Sequence, residues 1–393
     1  MPVKDKFSSL PLRLAPLRLE PIARRLELDV AARSIPGATI IVGHRNGNLF
    51  ERSVGFRDIE AGDRLQPDAI WRIYSMTKPI VSVAAMVQVE SGALHLDQPV
   101  ADFIASFANL RVACADGTTV PAQRRPTIQD LLRHTAGVAY GYFGSGPAHE
   151  AYVADRFLDE DLPLAAFVDR ISALPLAYEP GTVWHYSHAT DILGRVLEIV
   201  SGQTAGDVLR CTVLDPLGMT DTGFRLAPAE RGRVAQPLPQ ATKGSRPRFF
   251  DPTAARKLQS AGGGLISTAA DYSRFLRMLL NGGSLEGRRV LSPSIVDYMT
   301  SDHLGAATGR DAYYPPGPGY GFGLGFAVRA ARGEAPFPGS PGDFFWSGVG
   351  GTYFWVDPAH DLFVLFMLQS SSPEQRLHYR NLVRNMVYAA LDH

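Results

Sequence analysis

The stretch Trp71 to Ile80, WRIYSMTKPI, sets a serine and a lysine three residues apart at the mouth of an apolar run. On a helix, positions i and i+3 share a face with Cβ atoms roughly 5–6 Å apart, so Ser75 and Lys78 are within reach of each other. A serine at a helix start meets free backbone N–H groups and the positive end of the helix dipole, which favour the oxyanion formed on an attacked carbonyl. Lys78 accepts or shuttles the serine proton only if its pKa falls, through burial or a neighbouring cation. Spacing alone equally allows Ser75 to be a plain N-cap. Lysine is scarce here: Lys4, Lys6, Lys78, Lys243 and Lys257 are all there are.

The elements that would position this pair follow from pattern. Residues 18–34 read as an amphipathic helix stopped by Ile35 to Gly37. Two alternating runs flank Asn46-Gly47, a strong hairpin signal. A helix is predicted from about residue 76 to Gly92, with Pro79 in its first turn, where the missing N–H costs nothing. Residues 109–255 change character to helices and irregular stretches, among them Thr127-x-x-Asp130 opening a capped helix that Gly137 closes. Two further helices are expected there, at 163–174 and 187–202. A helix at 269–283 precedes strand patterns at 319–328, 343–358 and 361–370, and a last helix at 373–391. Strands at both ends with helices between predict an α+β chain with an antiparallel sheet built from residues 1–108 and 256–393, flanked by helices. Residues 109–255 form an inserted, mainly helical domain in this reading, and a small-molecule cleft is expected between the two parts.

Bulk properties exclude several functions. An apolar fraction of 45% and a charged fraction of 20% are those of a globular protein. The formal net charge is zero, so no electrostatic footprint for nucleic acid or anionic membrane exists. No run approaches the roughly 18 apolar residues of a membrane span. The N-terminal MPVKDKFSSLPLRLAPLRLE lacks a continuous apolar core, so no signal peptide is read and a cytoplasmic location is expected. Cys114 and Cys211 match no metal spacing and read as buried free thiols. The histidines show no metal-binding spacing, so no metal is expected. The absence of Gly-x-Ser-x-Gly, and of parallel strand–helix alternation, disfavours an α/β-hydrolase.

Beyond Ser75-Met76-Thr77-Lys78 come LLRHTAG (131–137), EPGTVWHYSHATDILGRVLEIVSGQT (179–204), LDPLGMTDTGF (214–224), SAGGGLISTAADYSRF (260–275) and WSGVGGTYFWVDP (346–358). In this order and spacing, from about residue 35 to 390, the set resembles the serine hydrolases of the class C β-lactamase and DD-peptidase fold. The resemblance implies a β-lactamase/transpeptidase-like architecture. Where that family has Tyr-x-Asn, this chain reads Tyr186-Ser187-His188. Where it has Lys-Thr-Gly, this chain reads Trp346-Ser347-Gly348, with no lysine to hold a substrate carboxylate. That combination is similar to the family VIII carboxylesterases.

The resemblance implies Ser75 as nucleophile, Lys78 and Tyr186 as a proton-relay pair, and the N–H groups of Ser75 and Val349 as the oxyanion hole. Trp346, Gly348 and His188 are expected on the substrate side, with at least one of Tyr140, Tyr142 and Phe143 lining the pocket. Trp346 should face the cleft and Phe345 the core. His134 is expected to support the site structurally, His185 to point away, and Gly262 to Gly264 to form a tight segment at its edge. The implied activity is hydrolysis of short-chain acyl esters through an acyl-enzyme. The same residues could serve β-lactam or D-amino-acid amide hydrolysis, or acyl transfer to an alcohol. The expected partner is a small-molecule ester, with no cofactor.

Overall fold

The computed structural model describes residues 16–157, 160–239 and 249–391; expectations placed on residues 1–15 and on most of the 236–250 loop lie outside them. The scaffold is an eight-stranded antiparallel sheet. In chain order its strands are β1 (Gly37–His44), β2 (Gly47–Asp58), β3 (Asp63–Arg64), β4 (Tyr320–Phe322), β5 (Ala327–Arg329), β6 (Phe344–Ser347), β7 (Tyr353–Asp357) and β8 (Leu362–Leu368). In space they run β4-β5-β6-β7-β8-β1-β2-β3. The two ends of the chain meet where β1 pairs with β8, from Ala38 opposite Leu368 to Gly43 opposite Phe363. The hairpin falls at Asn46-Gly47, with His44 opposite Gly47.

Helices cover both faces of the sheet, which is why β8 reads as an unbroken apolar run, LFVLFML, and is buried throughout. Neighbouring residues of β7 show the two layers, since successive side chains on a strand point to opposite faces. Tyr353 meets Arg384 of the C-terminal helix Pro373–Ala389, and Phe354 meets Tyr272 of the helix Ala269–Leu280.

The helix Thr77–Glu90 is buried on every side over its first ten residues, Thr77 to Met86. An all-round buried helix is a central one, and it packs on the helix Ala189–Ser201. One continuous hydrophobic core joins Leu131, Phe167 and Leu193 of the 109–255 stretch to Phe366 and Val42 of the sheet.

Two expectations are corrected. The capped helix that opens at Thr127 ends at Leu132, well before Gly137. The capping box forms, but Asp130 also accepts hydrogen bonds from Arg124, Arg133 and Thr135, and His134 turns the chain out of the helix with a φ of 56°. Cys211 is exposed and Cys114 half-buried, both free. Cys211 falls on the outward side of a helical run whose inward positions are Val208, Leu209, Val213 and Leu214. Among the described residues no helix is long and apolar enough to cross a membrane.

Candidate active site

The chain approaches Ser75 along a short strand, Trp71–Arg72, paired with Ile266–Ser267. It then turns sharply at Tyr74, whose φ is 44°. A bulky residue in that region is strained and is held there only by its surroundings. Gly350 presses on the Tyr74 ring so closely that any side chain there would collide with it, and Phe249 and Phe250 pack edge-on against the same ring. A single 3₁₀ turn, Tyr74–Met76, carries Ser75 into the helix Thr77–Glu90. Ile73 and Met76 occupy the two cap positions, and neither makes a side-chain cap bond. Ser75 is therefore not an N-cap; its Oγ lies 3.4 Å from Lys78 Nζ.

Lys78 is 1% exposed. Its Nζ donates to Tyr140 Oη at 2.8 Å and to the Gly262 carbonyl at 2.6 Å, and it lies over the rings of Tyr186 and Tyr140, 4.7 and 5.3 Å from their centroids. Burial pushes the amine down to about 7, with Asp191 opposing the fall. A neutral amine has two N–H bonds and one lone pair. The two short contacts use the N–H bonds, which leaves the lone pair for the Ser75 hydroxyl.

Tyr186 is buried among Trp184, His134, Tyr140 and Trp346. Among the described residues its Oη finds no hydrogen-bond partner of good geometry. Burial pushes the phenol well up, although Ser75 and Trp346 lie close enough to oppose the rise. Tyr186 is thus protonated at neutral pH.

Strand β6 supplies the third side. Trp346 packs against Tyr186 and Phe322, while Phe345 faces the opposite layer beneath Arg384, as strand alternation requires. Gly348 lies against the Ile73 carbonyl and Thr352, with no room for a side chain. Since Gly348 presses on the Ile73 carbonyl and Gly350 on the Tyr74 ring, half-buried Val349 between them is held beside the turn that bears Ser75.

The remaining predicted residues divide. Tyr140 is buried, and its Oη accepts a hydrogen bond from Lys78 Nζ. Tyr142 is exposed and stacks on Tyr140. Phe143 stacks face to face on Tyr313, centroids 4.2 Å apart, and reaches within 5.9 Å of Tyr186. Together they form an aromatic rim. His188, expected on the substrate side, is buried under Tyr140, Phe157 and Phe167 and bonds Asp191 through Nδ1 at 3.0 Å. His134 packs under Tyr186 and approaches Ser187 at 3.5 Å, a supporting position. His185 turns to Asp311 and His149.

Sequence reasoning missed Asp191, the Gly262 carbonyl as a lysine partner, and Tyr313. Asp191 did carry a signal, an acid at the start of an otherwise apolar helix and five residues after Tyr186. Tyr313 sits in a Pro/Gly-rich loop without periodicity and carried none. Among the described residues no group of three or more His, Cys, Asp and Glu is arranged to hold a metal.

A profile of the family described as Beta-lactamase matches residues 22–387. The chain belongs to the β-lactamase family and is a serine hydrolase of β-lactamase/transpeptidase-like fold. Protein Rv1367c of Mycobacterium tuberculosis is 37% identical over 355 residues, 85% of this chain and 86% of that protein. Esterase EstB of Burkholderia gladioli is 32% identical over 380 residues, 91% of this chain and 92% of that one. The solved structure of EstCE1, described as a hydrolase with promiscuous acyltransferase activity, covers 95% of this chain and 99% of its own, with a TM-score of 0.76 at 24% identity.

Proposed function

We propose that this protein is a carboxylesterase of the family VIII type, hydrolysing short-chain acyl esters through a Ser75 acyl-enzyme in the cytoplasm. The observation that carries the reading is the Lys78 environment: a buried amine 3.4 Å from Ser75 Oγ, with only neutral groups in direct contact among the described residues. The 32% identity to Esterase EstB supports ester hydrolysis. Trp346 supports an uncharged acyl group, because an apolar ring gives no partner to a desolvated carboxylate.

As Ser75 Oγ forms its bond to the ester carbon, its proton passes to the Lys78 amine and the carbonyl electron pair moves onto oxygen. The Ser75 and Val349 N–H groups hold that oxyanion. When the C–O bond to the alcohol breaks, the leaving oxygen takes a proton from the Lys78 ammonium, through the Tyr186 phenol. Water attacks the acyl-enzyme by the same route in reverse order. Tyr186, held protonated by burial, serves as donor and Lys78 as base. In this reading Tyr140 and Tyr186 come from the inserted domain 109–255, while Ser75, Lys78 and Trp346 to Val349 come from the body formed by 1–108 and 256–393.

Stopped-flow hydrolysis of p-nitrophenyl butyrate by the wild type and by Ser75→Ala tests the reading. Wild-type turnover that vanishes in the variant supports it, and a burst shows slow deacylation. Activity that survives in Ser75→Ala removes the nucleophile assignment. Product that appears chiefly as a new ester when an alcohol is added points to acyl transfer instead.

A further inference from the structure

Asp191 lies buried in the first turn of the helix Ala189–Ser201, and both its oxygens are held. Oδ1 accepts from the Gly262 N–H at 2.9 Å and from Ser260 Oγ at 2.7 Å, and Oδ2 accepts from His188 Nδ1 at 3.0 Å. Gly262 therefore faces two ways: its N–H binds Asp191 and its carbonyl receives Lys78. A side chain at 262 would run into the Asp191 carboxylate, so the close approach requires glycine.

We propose that Asp191 is a positioning residue for the Ser75–Lys78 pair: it clamps the 260–262 turn so that the Gly262 carbonyl meets the lysine amine, and its charge steadies the ammonium formed when Ser75 gives up its proton. The proposal rests on the esterase reading above. In the acylation step the proton leaves Ser75 Oγ for the Lys78 lone pair as the Oγ–C bond forms. The resulting ammonium sits on Tyr140 Oη and the Gly262 carbonyl, with the Asp191 carboxylate one residue further out. It returns to neutral when the alcohol departs with the proton.

The other groups around Lys78 do not perform this task. Ser75 stands on the 3₁₀ turn that leads into the Lys78 helix. His134 and Tyr140 come from the segment after Leu132, and Tyr186 and His188 from the approach to the helix Ala189–Ser201. Burial keeps both histidines neutral and both phenols protonated. Burial works against the Asp191 charge too. The hydrogen bond from His188 above all, with the Lys78 charge and Ser260, outweighs it and holds the carboxyl below its usual range.

Asp191→Asn tests this, because the amide oxygen can still accept from Gly262 and Ser260 while the charge is gone. The readout is the rate at which a p-nitrophenyl alkylphosphonate labels Ser75 between pH 5 and 9.5, which reports serine activation without deacylation. Without the carboxylate the lysine is harder to protonate. The acid limb should therefore move down by about one pH unit, with a plateau about tenfold lower. Ser260→Ala, a milder change at a half-buried position, leaves the carboxylate less neutralised and should move the limb up by a few tenths of a unit, roughly. It serves as the test should Asp191→Asn fail to fold. An Asp191→Asn limb that coincides with wild type, whatever its plateau, overturns the proposal, as does a Ser260→Ala limb that is unmoved or moves down. A wild type that is never labelled would instead defeat the esterase reading.

Discussion

Two buried cations make opposite use of the same interior. Arg384, on the C-terminal helix, lies 2.7 Å from Asp343 and donates to Tyr353 Oη at 2.9 Å, while Arg329 donates to the same Asp343 at 2.6 Å. Burial works against its charge, but the phenol of Tyr353 and the Asp343 carboxylate hold its pKa well above the ordinary value. Lys78 is as deeply buried, yet its direct partners are a phenol, a hydroxyl and a peptide carbonyl, with the opposing charge of Asp191 one residue further away, behind Gly262. Its pKa falls to about 7. The lesson is that burial does not decide whether a cation is structural or reactive. A carboxylate in direct contact fixes the proton in place; a carboxylate held one shell out leaves it mobile.

The contrast can be broken from either side. The largest effect is expected from Ser75→Ala, which should lower p-nitrophenyl butyrate turnover on the order of 10⁴-fold or more, measured in steady state. Lys78→Arg should lose about 10³-fold in kcat and gain nothing on raising the pH, because a guanidinium does not deprotonate. A pH–rate profile showing recovery at pH 9 would refute the base assignment.

The stability counterpart runs the other way. Arg384→Met leaves Asp343 with one cation in place of two in a dry layer and should cost about 3 kcal/mol in urea denaturation. Lys78→Met removes a buried amine without a carboxylate in direct contact and should leave the melting temperature unchanged or higher. If both variants lost stability equally, the distinction between the two cations would fail.

The pH dependence separates them further. Lys78 has a folded-state pKa of about 7, so the acid limb of kcat/KM should be centred near pH 7. In the unfolded chain the lysine holds its proton up to its ordinary value of 10.5. Between these two pH values the unfolded state binds more protons, so the Lys78 contribution to stability improves as pH rises through that window. Lys78→Met should flatten that slope; Arg384→Met should not. The smallest effect belongs to the rim: Tyr313→Ala, which unstacks Phe143, should raise KM a few-fold, roughly, with kcat little changed.

Much of the fold was legible because its signals are local. Asn46-Gly47 marked the hairpin, and the near-3.6 spacing of apolar residues marked the last helix, which becomes Pro373–Ala389. The helix at 128–132 came out short because Asp130 is recruited by Arg124, Arg133 and Thr135, contacts that no periodicity announces. In the site, the placement of Trp346 and Phe345 on opposite faces followed from the two-residue strand repeat. Tyr140 was expected as a pocket residue and is instead bonded to the lysine, 62 positions away in sequence.

By itself, then, the sequence determined what depends on neighbours along the chain. It set the Ser75–Lys78 spacing on one helical turn, an antiparallel sheet drawn from both termini, and the aromatic Trp346 where a cation would otherwise stand. Only the tertiary structure decided the state of the lysine. The Gly262 carbonyl arrives from 184 residues away, Asp191 stands behind it, and His188 is turned inward to bond that carboxylate. A pKa depends on which dipoles and charges lie within a few ångströms, and for Lys78 almost all of them come from distant parts of the chain.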